Sequence, residues 1–234
     1  MVPAGNAAAS PPPRERGDRI PSAVWLAILW AGMIAGFGLD FPRYLAQKPP
    51  APFIVHAHAA VFTGWLLLLT AQVTLVLRDR LDWHRRLGRF MAGWACLMAV
   101  FGPWAAFAMH RGNFLSISLL DMAGFLVLLA WGFALRTKPS EHRRMMILAT
   151  LALADPGFSR ISMSFMPDPA AMIPFFIAYF YGNVLLVGLM LAWDLSRGRL
   201  VRSFVAGAGA LLATELIAVA LYFWPPWIEL TKGL

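Results

Sequence analysis

The sequence is short of cysteine, of charge and of acid. Its one cysteine, Cys96, stands inside an apolar run. A single cysteine excludes an intrachain disulfide and a multi-cysteine metal site, and Cys96 reads as helix packing. Charged residues fill 14% of the 234 positions and hydrophobic ones 59%. Soluble globular domains run at about 25% and 45–50%, so the composition is that of a membrane protein. The motifs of the common soluble enzymes are missing: no Walker A loop, no GxGxxG after a strand, no HExxH, no GxSxG. No catalytic residue is assigned. Without a CxxCH, covalent c-type haem is excluded. HAH alone is too short for a zinc signature, and no metal ligands are assigned. Acids number 12 against 20 Lys and Arg, a net charge of +8. In a soluble chain that excess points to nucleic acid. Here most Arg and Lys lie in short loops between apolar runs, where they mark membrane orientation. The expected partner is a lipid bilayer and not nucleic acid.

What the chain does have is long apolar runs. A membrane-spanning helix needs about 20 mostly apolar residues. Seven runs meet or approach that length: 23–45, 53–77, 90–109, 114–135, 145–165, 172–195 and 203–227. They are continuous, without the alternating pattern of barrel strands, so they are helices. The run 145–165 is the least regular, carrying Asp155, Pro156 and Arg160. The loops after the second, fourth and sixth runs are basic (Arg78, Arg80, Arg85, Arg86, Arg89; Arg136, Lys138, Arg143, Arg144; Arg197, Arg199, Arg202), and so is the segment before the first. The alternate loops are poorer in charge. Positive residues stay on the cytoplasmic side, which places the N-terminus inside and the C-terminus outside. Trp25, Tyr44, Trp83, Trp224 and Trp227 near run ends suit an aromatic belt. The expected fold is an all-α polytopic membrane bundle of about seven helices. A disordered cytoplasmic tail spans 1–21, the helix bundle 22–228 and a short extracytoplasmic tail 229–234. Residues 1–21 lack the layout of a cleavable secretory signal.

The stretch 53–89 organises the rest: FIVHAHAAVFTGWLLLLTAQVTLVL, then the basic loop RDRLDWHRRLGR. A reduced echo follows at 114–149, an apolar run holding Asp121 and then RTKPSEHRRMM. Each is a helix, a loop with His-Arg-Arg and another helix, the layout of a repeat about an axis along the membrane normal.

Ionisable groups inside a span are costly and mark candidate sites. His56 and His58 lie early in the second run, His110 at the end of the third and Asp121 in the fourth. Asp155 and Arg160 lie in the fifth, Tyr179, Tyr181 and Asn183 in the sixth, and Glu215 in the seventh. Most of this polarity falls in the outer half, which suggests a pocket opening outward, lined by His56, His58, Asp121, Asp155, Arg160 and Tyr179. His56 and His58 sit about 200° apart on a helix and do not bind one ion together. His58, Trp65 and Gln72 form one stripe and His56, Thr63 and Thr70 another; either suits the bundle. Asp155-Pro156 is expected to kink its helix. Arg160 is about 140° from Asp155 on that helix, and Asp121 is its expected partner. The plain reading of these charges is a structural ion pair, and of the histidines, satisfied interfacial imidazoles.

His84 and His142 occupy matching places in two inner loops, each before Arg-Arg. The plain reading is a topology signal touching lipid head groups. The functional one is that the two face each other across the bundle, as the axial ligands of a b-type haem do. His58 with His110, or His56 in place of His58, would make an outer equivalent.

The combination HAHAxxxxGWLLLLxxQ, HRRLGR, then EHRRMMILATLAL with a following Asp and Arg resembles a family of bacterial multi-helix inner-membrane proteins classed as a domain of unknown function. The resemblance covers 53–160 and implies a bacterial inner-membrane setting. More distantly, histidines at helix ends are similar to small haem-handling membrane proteins, the cytochrome b561 group and a multi-helix assembly factor for haem-copper oxidases. In the b561 group the ligands lie within helices, whereas His84 and His142 are at loop edges. Three functions follow as expectations. One is a haem protein for electron transfer or cofactor assembly, using His58, His110, His84 and His142. Another is a transporter or ligand-binding protein using the outer pocket. The last is a subunit of a larger membrane complex.

Overall fold

The structure, a computed structural model, describes residues 19–109, 112–165 and 171–233. These are helical almost throughout, with no strand among the described residues. Helix α1 is Arg19–Ala46, α2 Phe53–Leu77 and α3 Leu81–Met109. A 3-10 turn, Gly112–Phe114, leads into α4, Leu115–Ala134. Then come α5 Pro139–Leu151, α6 Asp155–Met163, α7 Met172–Ser196, α8 Arg202–Tyr222 and α9 Pro225–Thr231. Helix starts follow local chemistry: α5, α6 and α9 each carry proline in their first two positions, where its missing N–H has no bond to lose. Asp79 takes a positive φ of 56° in the α2–α3 turn, and Gly198, at 61°, ends α7.

Six helices among the described residues are long and apolar enough to cross a membrane: α1, α2, α3, α4, α7 and α8. The run expected at 145–165 is instead split into α5 and α6, with a turn at residues 152–154. Pro156 in mid-helix removes the bond to the carbonyl four residues back and crowds it, so the chain turns and restarts. The expected kink is a full break. The tail expected at 1–21 lies outside the described residues up to 18, and α1 begins at Arg19. The last run stops at Tyr222, and the chain turns before Pro225 to form α9.

Contacts sort the helix ends into two groups. At one end Arg19 meets Asp79 at 2.6 Å, His84 meets His142 and Arg144 meets Asp194. These are the starts of α1, α3 and α5 and the ends of α2 and α7, the basic segments of the sequence. At the other, the Tyr44 hydroxyl meets His56 Nδ1 at 3.1 Å, and Asn113 Nδ2 donates to the Tyr222 carbonyl at 3.1 Å. The pair α5–α6 runs from the first group to the second: Arg144 binds Asp194 near its start, and Arg160 binds Asp40 near its finish. Helices α2 and α3 pack as one hairpin and α4 and α5 as another, as the echoed sequence suggests.

Polarity is reversed relative to a soluble bundle. Ile34, Leu67, Val100, Val127, Ile177 and Ile217 are exposed, as hydrocarbon surroundings permit, since lipid tails are as apolar as leucine. Inside, Trp65, Phe125, Phe180, Phe204, Met98 and Leu148 fill the core. Helix α5 is buried on every side from Arg144 to Leu151 and packs against α1, α4 and α8. A helix buried all round needs no lipid-facing stripe, so α5 can be short and carry charge. Helix α6 lies against α1 at backbone contact. A Cβ on Gly36 would stand 1.8 Å from the Gly157 carbonyl oxygen, and one on Gly32 2.3 Å from the Phe158 ring. Gly32 and Gly36 are the small-xxx-small spacing that lets helix backbones meet in a membrane.

Candidate functional site

Four helices bring carboxyl and amide groups together deep in the bundle. Asp121 comes from α4, Asp155 from the first turn of α6, Asn183 from α7 and Glu215 from α8; Asp155 and Asn183 are 0% exposed. Asp121 and Glu215 stand within electrostatic reach of each other, and Asp155 of both. Asn183 Nδ2 donates to Glu215 Oε1 at 2.6 Å. The second Glu215 oxygen and Asn183 Oδ1 are buried without a partner. So are both carboxyl oxygens of Asp155, which no side chain among the described residues hydrogen-bonds; its own peptide N–H lies near. The buried Tyr179 of α7 joins the edge of the group, near Ser159, Asp121 and Asp155. Ser162 continues the polar line along α6, donating to the Ser159 carbonyl at 2.9 Å and to the Ala178 carbonyl. No basic side chain hydrogen-bonds or pairs with Asp121, Asp155 or Glu215 among the described residues.

Of the six outer-pocket residues named from sequence, Asp121, Asp155 and Tyr179 come together. His56 does not join them: it is exposed and held by Tyr44. His58 turns to another side, as the two-residue spacing requires, its ring 3.9 Å from that of Phe62. Arg160 corrects an expectation. Its partner is Asp40, not Asp121: Nε donates to Asp40 Oδ2 at 2.9 Å, and the guanidinium lies 4.4 Å from the centre of the Phe37 ring. The offset of about 140° from Asp155 turns Arg160 toward α1, away from α4. Asp40 escaped the sequence reading, although a carboxylate inside the run 23–45 was a signal for it. Asn183 and Glu215 were visible as buried polar residues, but nothing in their spacing joins them to Asp155.

The His58 stripe is the one that enters the bundle. Trp65 and Gln72 are buried, and Trp65 Nε1 donates to Thr150 Oγ1 at 3.2 Å. The other stripe meets α1, where Trp30 Nε1 donates to Thr70 Oγ1 at 2.9 Å.

At the basic end His84 and His142 do meet. Their ring centres are 6.4 Å apart with the planes at 87°. His142 Nδ1 bonds the Gly132 carbonyl at 2.7 Å, which makes Nδ1–H the donor and leaves Nε2 with its lone pair. His84 lies beside the Gln72 backbone, and its Nδ1 is buried without a partner. Burial, with the positive charge of Arg143 adding to it, holds His142 below the usual imidazole range, although the Gly132 bond opposes this. His142 stands in the first turn of α5, outside the six spanning helices. The Arg-Arg that follows it is structural. Arg144 is buried, its Nε 2.9 Å and its second terminal nitrogen 2.5 Å from the two Asp194 oxygens. Arg199 meets Asp194 at 3.1 Å.

The haem expectation can be tested against this packing. The ring spacing suits two axial imidazoles, but a porphyrin also needs a slot between the helices. The two best-formed cavities hold about 20 and 30 Å³, and neither His84 nor His142 lines them. About 10–15 Å³ of such space holds one water. His110 lies outside the described residues, so the outer pairing with His58 has no geometry to weigh. Among the described residues, no three His, Cys, Asp or Glu side chains are arranged to hold a metal ion. Comparison with protein-family models, with curated proteins and with solved structures finds no match for this chain.

Proposed function

We propose that this chain is an integral membrane protein of the transport class that takes up and releases a proton at the cluster Asp121–Asp155–Glu215. The observation that carries this reading is Asp155: 0% exposed, both oxygens without a side-chain partner, and two more buried carboxyls within electrostatic reach. Each ion buried without compensation costs several kcal/mol, and neighbouring like charges oppose ionisation further. With no basic partner among the described residues, protons are the simplest neutralising agent. Buried Asp and Glu groups on neighbouring helices are the material of proton relays in pumps and transporters. The helix break at residues 152–154 supports the same reading, because transporters place their ion sites at discontinuous helices near the bilayer midplane. Asp155 stands in the first turn after the break, and the Ser159–Tyr179 and Ser162 hydroxyls extend the polar line toward Arg160. Counting α5–α6 as one broken crossing makes seven crossings. With the basic end inside, the N-terminus is cytoplasmic and the setting is a bacterial inner membrane.

The test is proton flux in proteoliposomes carrying an internal pH dye, with infrared difference spectra of the carboxyl C=O stretch across pH. The expected result is a flux lost in Asp155→Asn and reduced in Asp121→Asn, but kept in His84→Ala. An Asp155→Asn protein that still carries protons like the unaltered chain would overturn the reading. So would an infrared spectrum in which the protonated-carboxyl bands are unchanged in Asp155→Asn.

A further inference from the structure

We propose that His84 and His142 bind one soft monovalent metal ion, Cu(I), between their two imidazoles. The spacing is the first ground. A ring nitrogen lies about 1.1 Å from its ring centre, and an N–H···N bond spans about 2.9 Å, so directly bonded imidazoles have centres about 5 Å apart. Two imidazoles sharing one ion, each with a metal–nitrogen distance of about 2.0 Å, have centres about 6 Å apart. The observed 6.4 Å is close to the ion-sharing spacing and longer than the hydrogen-bonded one.

The anchoring is the second ground. The His142 ring uses one nitrogen on the Gly132 carbonyl, and His84 lies beside the Gln72 backbone. Such carbonyl anchoring sets the tautomer and orientation of metal-binding histidines. The nitrogens left over, His142 Nε2 and the buried, unpartnered His84 Nδ1, are lone-pair donors. Both rings come from first turns of helices, α3 and α5, which hold them on rigid supports.

The surroundings select the ion. Arg85 acts on His84 and Arg143 on His142, and among the described residues no Asp or Glu joins the two rings to make a third ligand. Zinc prefers four ligands, with negative ones common among them. Two neutral imidazoles in a positive neighbourhood suit a monovalent d¹⁰ ion that accepts linear two-coordination. A bare ion requires no cavity beyond the gap between the rings. This site stands apart from the carboxyl cluster and does not depend on it.

The test uses the full chain in detergent, titrated with Cu(I) kept reduced by ascorbate against a chromophoric Cu(I) chelator, and X-ray absorption of the loaded protein. The expected result is one Cu(I) per chain with two nitrogen neighbours. His84→Ala and His142→Ala should each weaken binding by more than the factor of about 10–100 that loss of an outer-shell partner costs. Asp155→Asn should bind copper as the unaltered chain does, so failure here and failure of the proton reading are distinguishable. The histidine variants are checked for an unaltered unfolding temperature; where one falls, His84→Gln and the coordination number of the unaltered chain decide. Copper binding unaffected by either histidine, coordination by sulfur from Met or Cys96, or a Soret band in protein made with ample haem would each overturn the proposal.

Discussion

Asp194 and Asp155 are equally buried, both 0% exposed, yet their surroundings differ completely. Asp194, at the basic end, receives Arg144 through two short contacts and Arg199 through a third. Asp155, in the middle of the bundle, receives no side chain and faces two more carboxyls. The first is a charge held in place by counter-charge, the second an acid with no side-chain hydrogen-bond partner among the described residues. A buried ion pair is fixed structure, because removing either partner strands the other. A buried acid without a partner is free to exchange what neutralises it. Within one small bundle, the buried acid at the basic end is paired and the one in the middle has no basic partner among the described residues.

The largest expected effect breaks the locked side. Asp194→Ala strands Arg144 in the core and should cost about 3–5 kcal/mol, read as a fall in stability in detergent-based unfolding followed by tryptophan fluorescence. A loss below about 1 kcal/mol would mean that Arg144 reaches water or a head group instead. Next comes Asn183→Ala. It removes the one side-chain donor to Glu215 among the described residues and should cost about 1–3 kcal/mol, the desolvation penalty of an acceptor left unmade. Asp155→Asn sharpens the contrast. If the group is already neutral at rest, an uncharged near-isostere should change stability by less than about 1 kcal/mol while abolishing proton flux in liposomes. A variant that unfolds as readily as Asp194→Ala would put Asp155 on the structural side. The smallest effect is expected from the double change Arg144→Met with Asp194→Leu. Replacing a buried pair by apolar side chains of similar volume is often neutral or stabilising, so this protein should unfold near the unaltered chain although each single change does not.

How much of this was legible beforehand varies with the element. The long apolar runs at 53–77, 114–135 and 172–195 became helices with nearly those limits, because a continuous apolar run has one low-energy form in lipid: a helix with every backbone group satisfied internally. The run at 145–165 was misjudged in length. Its interior proline was visible, but whether a proline kinks or breaks a helix depends on what packs against it, here α1 approaching at Gly32 and Gly36. Arg160 shows the same limit for charges. The angle on its own helix was readable, but the neighbour on that side, Asp40 of α1, was not. His84 and His142 were legible as a pair because their segments echo each other and both flank a turn at the same end.

The sequence by itself determined the chemistry of the surroundings. Apolar runs, sparse charge and basic alternate loops leave only a helical bundle that faces lipid, since unsatisfied backbone and unpaired charge are both costly there. It also determined which residues were costly to bury. The tertiary structure alone decided how each cost is met. Partners for buried charges lie tens of residues away, Arg144 to Asp194 and Arg160 to Asp40, and are chosen by which helices touch and at what rotation. Packing of α4, α6, α7 and α8 places Asp121, Asp155, Asn183 and Glu215 together, and no local spacing encodes that meeting.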